Sequence, residues 1–291
     1  MRKGIYKGLL LCLFVISISS PANGKEPRIV IAYPASETSQ ALTYTHVIDG
    51  IEKAVGHAER LEVTEGSDTV QAQLDRLHPD KVIALGKKVA GTINKTSFLK
   101  LMLVGLAHFN PAEYNGVSLT LDSRSLGTQL SRFVPSVKRV FVVQQAGHQT
   151  IESVPAISGT QPTLEIREGS DQLATIRLLG HIVGEEATAT DALFIPANLP
   201  IDILYEVAKV AWDKKIMLLS TNLAQLDTGT LMGFYPDELA LGEQLGQLVT
   251  KKNPGFESTR GVNSALNRKV AQHLGIDFDP ATLDLFTIKI K

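Results

Sequence analysis

Unbroken apolar runs of a few residues alternate along this chain with stretches in which apolar residues return every three or four positions. The first kind suits a strand buried on both faces of a parallel sheet, and the second suits a helix covering such a sheet. Arg28 to Ala32 (R-I-V-I-A) predicts a strand ended by Tyr33-Pro34-Ala35-Ser36, and Val47, Ile48, Ile51 and Val55 mark a helix from about Thr43 to Val55. Leu61 to Thr64, Lys81 to Leu85 and Leu101 to Leu106 predict three more strands, with helices from Thr69 to Leu77 and from near Lys87 between them. Strands and helices alternating in this way make half of a doubly wound sheet.

Val117 to Leu121 is a short extended piece leading into a helix from about Ser125 to Phe133, and then the alternation begins afresh. Strands are expected at Arg139 to Val143 and Thr163 to Ile166, with a helix from Asp171 to Ile182. A β-α-β unit follows: Ala192 to Ile195, cut off by Pro196; Ile203, Leu204, Val207, Ala208 and Ala211 at helical spacing; and Ile216 to Leu219, cut off by Ser220-Thr221-Asn222. A helix over 238–250 has Asp237 as its expected N-cap, and the tail predicts a helix from about Ser264 to Leu274 and a last strand from Leu285 to Ile290. Two successive series predict two similar α/β lobes. Ligands of open α/β sheets sit beyond the carboxyl ends of the strands. Pro196-Ala197-Asn198 and Ser220-Thr221-Asn222 are therefore the first candidates for a binding rim, with plain turn and capping duty as the alternative.

Composition narrows the picture. Arg2, Lys3 and Lys7, the apolar stretch Leu9 to Ile18 and the small-x-small Ala22-Asn23-Gly24 predict a cleavable secretory signal over residues 1–24. The apolar stretch is shorter than the roughly 20 residues a membrane span needs. The protein is thus expected in the periplasm, and Cys12, its only cysteine, leaves with the leader. That removes disulfides, thiol catalysis and cysteine-ligated metal from consideration. The formal charge of −1 becomes more negative once the basic leader is lost, which argues against nucleic acid as a partner.

The order I-P-A-N-L-P-I-D, K-K-I-M-L-L-S-T, G-T-L-M-G-F-Y-P-D-E-L-A-L-G-E-Q-L-G and L-N-R-K-V-A-Q-H-L-G-I-D-F-D resembles the carboxyl half of the substrate-binding proteins of ABC transporters. The resemblance is to the branch with tryptophan- and tyrosine-type binders. In the amino half, V-I-A-L-G-K-K-V-A and F-N-P-A-E-Y-N-G-V resemble that family more loosely. It implies the type I periplasmic-binding fold: two Rossmann-like α/β lobes with parallel sheets, joined by a hinge that closes on a ligand. Lobe one is then expected over 25–118, completed by part of 233–291, and lobe two over 119–232. The expected crossings are Val117 to Leu121, the stretch near Leu231 to Tyr235, and the tail near Ile276 to Phe286. Lys87-Lys88 and Asn110 depart from the family pattern; an anionic ligand would explain the lysines, and so would two solvated side chains.

Carried over by position, the resemblance implies a lobe-one rim of Tyr33, Ser36, Lys87, His108 and Phe109 and a lobe-two rim of Gln145, His148, Asn198, Thr221 and Tyr235. Tyr33, Phe109 and Tyr235 are placed to sandwich a flat ligand, with ordinary packing as the alternative. Enzymatic motifs are missing: there is no G-x-G-x-x-G, Walker A, G-x-S-x-G or H-E-x-x-H pattern. The S-x-x-K at Ser97 to Lys100 lacks its companion motifs. No catalysis, cofactor or metal is expected. The expected function is a monomeric solute-binding component of an ABC importer, taking a small polar or aromatic, amino-acid-like or carboxylate ligand. The alternative is a ligand-sensing subunit that docks on a membrane sensor kinase.

Overall fold

The computed structural model of the chain describes residues 27–35, 40–64, 69–93, 101–152 and 162–291. The expected leader, Ser36 of the expected rim, and the S-x-x-K at Ser97 lie outside the described residues.

The central apolar runs become strands with both faces covered. In the first half, β1 (Ile29–Pro34), β2 (Glu59–Val63), β3 (Lys81–Leu85), β4 (Met102–Gly105) and β5 (Gly116–Leu121) alternate with α1 (Gln40–Val55), α2 (Thr69–Leu77) and α3 (Lys87–Thr92). Val30, Ile31, Ala32, Val82, Ile83 and Ala84 have no accessible surface, as expected of parallel strands between helical layers. The second half follows with α4 (Ser123–Phe133), β6 (Arg139–Gln145), β7 (Thr163–Gly169), α5 (Gln172–His181), β8 (Asp191–Phe194), α6 (Ile201–Asp213), β9 (Met217–Ser220) and β10 (Met232–Pro236). The chain then gives α7 (Glu238–Thr250), β11 (Phe256–Thr259), β12 (Val262–Asn267), α8 (Arg268–Leu274), α9 (Pro280–Leu283) and β13 (Ile288–Ile290).

Among the described residues these strands form two sheets, one ordered β11-β5-β4-β3-β1-β2 and the other β13-β12-β10-β9-β8-β6-β7. All neighbours run parallel except β10 and β12. The two α/β lobes expected from the sequence are these two sheets with their helices.

The chain crosses between the sheets at Asp122, at Asp237 and between Thr259 and Val262. The stretches 117–121 and 231–235, expected as crossings, are instead the closing strands β5 and β10, with the crossings just beyond them. The tail is not a crossing at all. β13 pairs with β12 in sheet two, and Phe286 stacks on Phe133 at 4.4 Å in the lobe-two core. Lobe one is completed by α7 and β11, so the lobe boundaries move from 118/119 and 232/233 to Asp122 and Asp237. The three crossings are tied together, since Asp122 N–H donates to the Thr259 carbonyl and Asp237 N–H to the Gly261 carbonyl, each at 2.9 Å.

Two element assignments also change. The helix expected from Ser264 begins at Arg268, where the Asn267 side chain accepts from Val270 N–H at 3.1 Å. The residues before it form β12, drawn into antiparallel pairing with β10. Phe256–Thr259 carries no strand signal of its own and is extended because it pairs with β5.

Candidate functional site

The site is built where both sheets end. Gly86, at φ +94°, takes a backbone conformation that side-chain-bearing residues rarely adopt, and it turns β3 into α3 so that Lys87 stands at the cleft. The loop after β4 brings His108, Phe109, Asn110 and Glu113 to the same edge. From lobe two, the turn after β6 brings Gln145 and His148, and the turn after β8 brings Pro196 to Asn198. In sheet two β6 and β8 are neighbours whose chains leave in opposite directions. Their carboxyl ends form the crevice that open α/β sheets use for ligands.

Between the lobes lies a cavity of about 830 Å³. Lys87, His108, Phe109, Gln145, His148 and Asn198, all expected at the rim, line it. Tyr33, Thr221 and Tyr235 do not. Tyr33 packs against the lobe-one core, and Tyr235 lies in β10 opposite Asn263, with Thr287 beside it. The ring of Phe109 is buried and set edge-on against Tyr114 at 6.0 Å and Phe256 at 5.8 Å. The expected three-ring sandwich is therefore not formed.

The Ser220-Thr221-Asn222 segment serves the rim from behind. Asn222 Nδ2 donates to the Ala197 carbonyl at 2.9 Å and Gln225 Nε2 to the Pro196 carbonyl at 3.0 Å. Asn222 Oδ1 also accepts from Ala224 N–H at 3.0 Å. These residues are cap and brace, and the lining they support is Pro196 to Asn198.

Charge in the cleft is partly cancelled. Lys87 Nζ lies 3.1 Å from Glu113 Oε2, both about half exposed, so Lys87, left open between an anion contact and a solvated side chain, is paired within the protein. Such a pair adds little stability, but it cancels most of the local field. Desolvation within the cleft, followed by the Lys87 charge, pushes the His108 pKa below its ordinary value. The neutral form of the His108 ring is thereby favoured. Its stabilising share is present above about pH 6.5 and declines as the pH falls toward the lower folded value, because the unfolded chain then binds the proton more readily. An NMR titration is expected to find the His108 ring titrating below about 6.5; a value at or above that would contradict the desolvated setting.

Several lining residues escaped the sequence reading: Glu113, Thr120, Gln144, Glu152 and Ser258. Gln144 is buried at the end of β6, donating to Glu168 Oε1 at 3.1 Å and accepting from Thr150 N–H at 3.3 Å. The first of the two amides that close the apolar run V-F-V-V was its only signal. The loop that follows, 147–152, is laid along the end of β5. Leu121 N–H donates to the Thr150 carbonyl and Glu152 N–H to the Leu121 carbonyl, each at 2.9 Å. Part of the lining is thus bonded to the last residue of β5, next to the first crossing at Asp122.

Ser258 sits beside a second brace. Burial alone would raise the pKa of Glu257, but hydrogen bonds from Lys251 and Gln244 at 2.7 and 2.9 Å, with the Arg260 charge at 3.0 Å, hold it below its ordinary value. The braced carboxylate anchors β11 against α7.

Comparison with solved structures agrees with this architecture. The ligand-free, open structure of CD0873, a substrate-binding protein with adhesive properties from Clostridium difficile, matches 91% of this chain and 100% of its own, with a TM-score of 0.57 and 14% identity. The chain has the type I periplasmic-binding fold. An ABC domain in complex with L-Trp from Streptococcus pneumonia also aligns over 91% of this chain and 100% of its own, at 18% identity and a TM-score of 0.47. No protein-family model and no curated protein matches the sequence. In the type I fold the cavity described above occupies the interlobe position, bounded by both sheet edges and by the hinge.

Proposed function

We propose that the chain is the exported solute-binding component of an ABC importer, working in the periplasm and binding without turnover. The observation that carries this reading is the cavity between the two sheet edges, with Thr150 and Glu152 of its lining hydrogen-bonded to Leu121, the last residue of β5 before the first crossing. A ligand that contacts both rims favours the closed arrangement by its difference in affinity for the two states, which converts binding into a shape a permease can read. The lining is made mainly of amides, hydroxyls and imidazoles, and its one aromatic wall is Phe109 with Phe256. That composition suits a small hydrogen-bonding solute better than a flat ring held between stacked faces. The solved relative described as a substrate-binding protein supports the same assignment.

Thermal-shift screening tests it. A ligand at 100 times its dissociation constant adds about 2.7 kcal/mol of stability, and small-angle scattering should then report a more compact particle. A broad panel of amino acids, sugars, amines and carboxylates that leaves the melting point unmoved would count against a binding role. Steady conversion of any bound compound would count against a purely binding one.

A further inference from the structure

We infer that the solute captured in this cleft bears a cationic, amine- or guanidine-type group, and that Glu152 is its counter-charge with Ser258 as a neighbouring contact. The inference rests on the proposed solute-binding role and narrows it to a ligand class.

The charged groups lining the cavity, apart from its imidazoles, are Lys87, Glu113 and Glu152. Lys87 and Glu113 satisfy each other at 3.1 Å. Glu152 is half-buried, and among the described residues its carboxylate has no ion-pair or hydrogen-bond partner; only its backbone N–H is engaged, with Leu121. Apart from the imidazoles, the lining therefore carries one negative charge that has no partner among the described residues.

The position of that charge matters as much as its sign. Glu152 lies against the end of β5, where its N–H bonds to Leu121; Ser258 pairs with Ser118 earlier in β5, and Thr259, next to it, is the β11 partner of Leu121. This is the hinge end of the cleft. Ser258 is 5% exposed and lines the cavity, and its Oγ is buried without a hydrogen-bond partner. Both residues line the cavity, and among the described residues the Glu152 carboxylate and the Ser258 hydroxyl have no partner; together they mark the corner of the cleft nearest β5.

Closing the lobes removes water from this corner, and desolvating a lone carboxylate is costly unless an opposite charge arrives with the ligand. A neutral sugar can donate hydroxyl hydrogen bonds to Glu152 but brings no opposite charge. A carboxylate ligand would place a like charge beside it. An ammonium or guanidinium supplies both the counter-charge and the N–H donors that Glu152 and the Ser258 oxygen accept.

The test uses the full chain in calorimetry and thermal shift with putrescine, agmatine and spermidine, beside arabinose, ribose, succinate and glutarate. At least one amine is expected to bind, and Glu152→Gln to weaken it tenfold or more with the unliganded melting point unchanged. Ser258→Ala is expected to weaken the same amine several-fold while leaving the unliganded protein as stable or more so, since it deletes an unsatisfied group. Lys87→Met should leave amine affinity equal or tighter. Amines that bind Glu152→Gln as tightly as the parent protein overturn the inference. So does a panel in which only sugars or carboxylates bind, an outcome that leaves the solute-binding role standing; silence across the whole panel also overturns it, and silence that extends to amino acids removes the solute-binding role as well.

Discussion

Gly242→Val is expected to cost lobe one more than about 3 kcal/mol, beyond the usual range for overpacking because the obstruction is backbone and not side chain. A Cβ at Gly242 would lie 2.1 Å from the Val47 carbonyl oxygen, and one at Gly50 would lie 2.2 Å from the Leu239 carbonyl oxygen. The two helices α1 and α7 thus cross with each glycine pressed on the other's main chain. Neither helix can yield alone, because Val47, Ile48 and Ile51 of α1 and Leu241, Leu245 and Leu248 of α7 share one core against sheet one. Intrinsic helix propensity argues the other way even for Gly242→Ala, since alanine in a helix interior is favoured over glycine by about 1 kcal/mol. The contact should win, with a net loss of roughly 2 kcal/mol for the alanine variant. Chemical denaturation of both variants decides the matter: a Gly242→Ala protein more stable than the parent would mean that the helices are not so closely apposed.

Asp191→Ala is expected to destabilise lobe two by roughly 2–3 kcal/mol, somewhat below the range for breaking a fully buried ion pair because Arg139 keeps access to water. Asp191 opens β8 with only 3% of its surface exposed. Its carboxylate accepts from Arg139 at 3.0 and 3.2 Å and from the Thr188 N–H and hydroxyl at 2.8 and 2.9 Å. Arg139 in turn lies over the Phe141 ring, 4.2 Å from its centre. Removing the carboxylate leaves the Thr188 N–H without its acceptor and the Arg139 guanidinium with Glu165 at 3.7 Å as its remaining carboxylate neighbour on the sheet. Burial by itself would raise the Asp191 pKa, but the hydrogen bonds from Arg139 and Thr188 hold it below its ordinary value. A depressed carboxylate stabilises above its unfolded pKa, near 4, and that share is lost as the pH falls through the folded value. The parent protein should therefore lose stability on acidification over that window more steeply than Asp191→Ala. Parallel acid curves, or a loss below about 1 kcal/mol at pH 7, would show that the network does not stabilise the sheet.

Much of the fold was legible because strands buried on both faces must be apolar throughout and helices covering them must be apolar on one side. R-I-V-I-A, K-V-I-A-L and A-L-F-I needed no distant partner to be recognised. The expected N-cap at Asp237 is present, its side chain accepting from Ala240 N–H at 3.0 Å, since capping is a contact three residues long. The rim was legible for the related reason that polar residues collect where buried strands end. Lys87, His108, Gln145, His148 and Asn198 follow from that alternation together with the family resemblance, and all of them line the cavity.

What stayed hidden depends on partners far along the chain. The ion pair of Lys87 with Glu113, the bonding of Glu152 to Leu121 and the placing of Ser258 beside β5 join residues that no local pattern relates. They turned a lysine that could have met an anion or solvent into half of an ion pair, and left one carboxylate of the lining without a partner among the described residues. β11 and the allegiance of the tail were undecidable for the same reason: a four-residue segment is extended or not according to the edge it meets. Period and polarity along the chain determined two α/β halves with polar strand ends. Only tertiary pairing decided which segments cross the hinge and which charges are cancelled, because both depend on distances in space that spacing along the sequence does not encode.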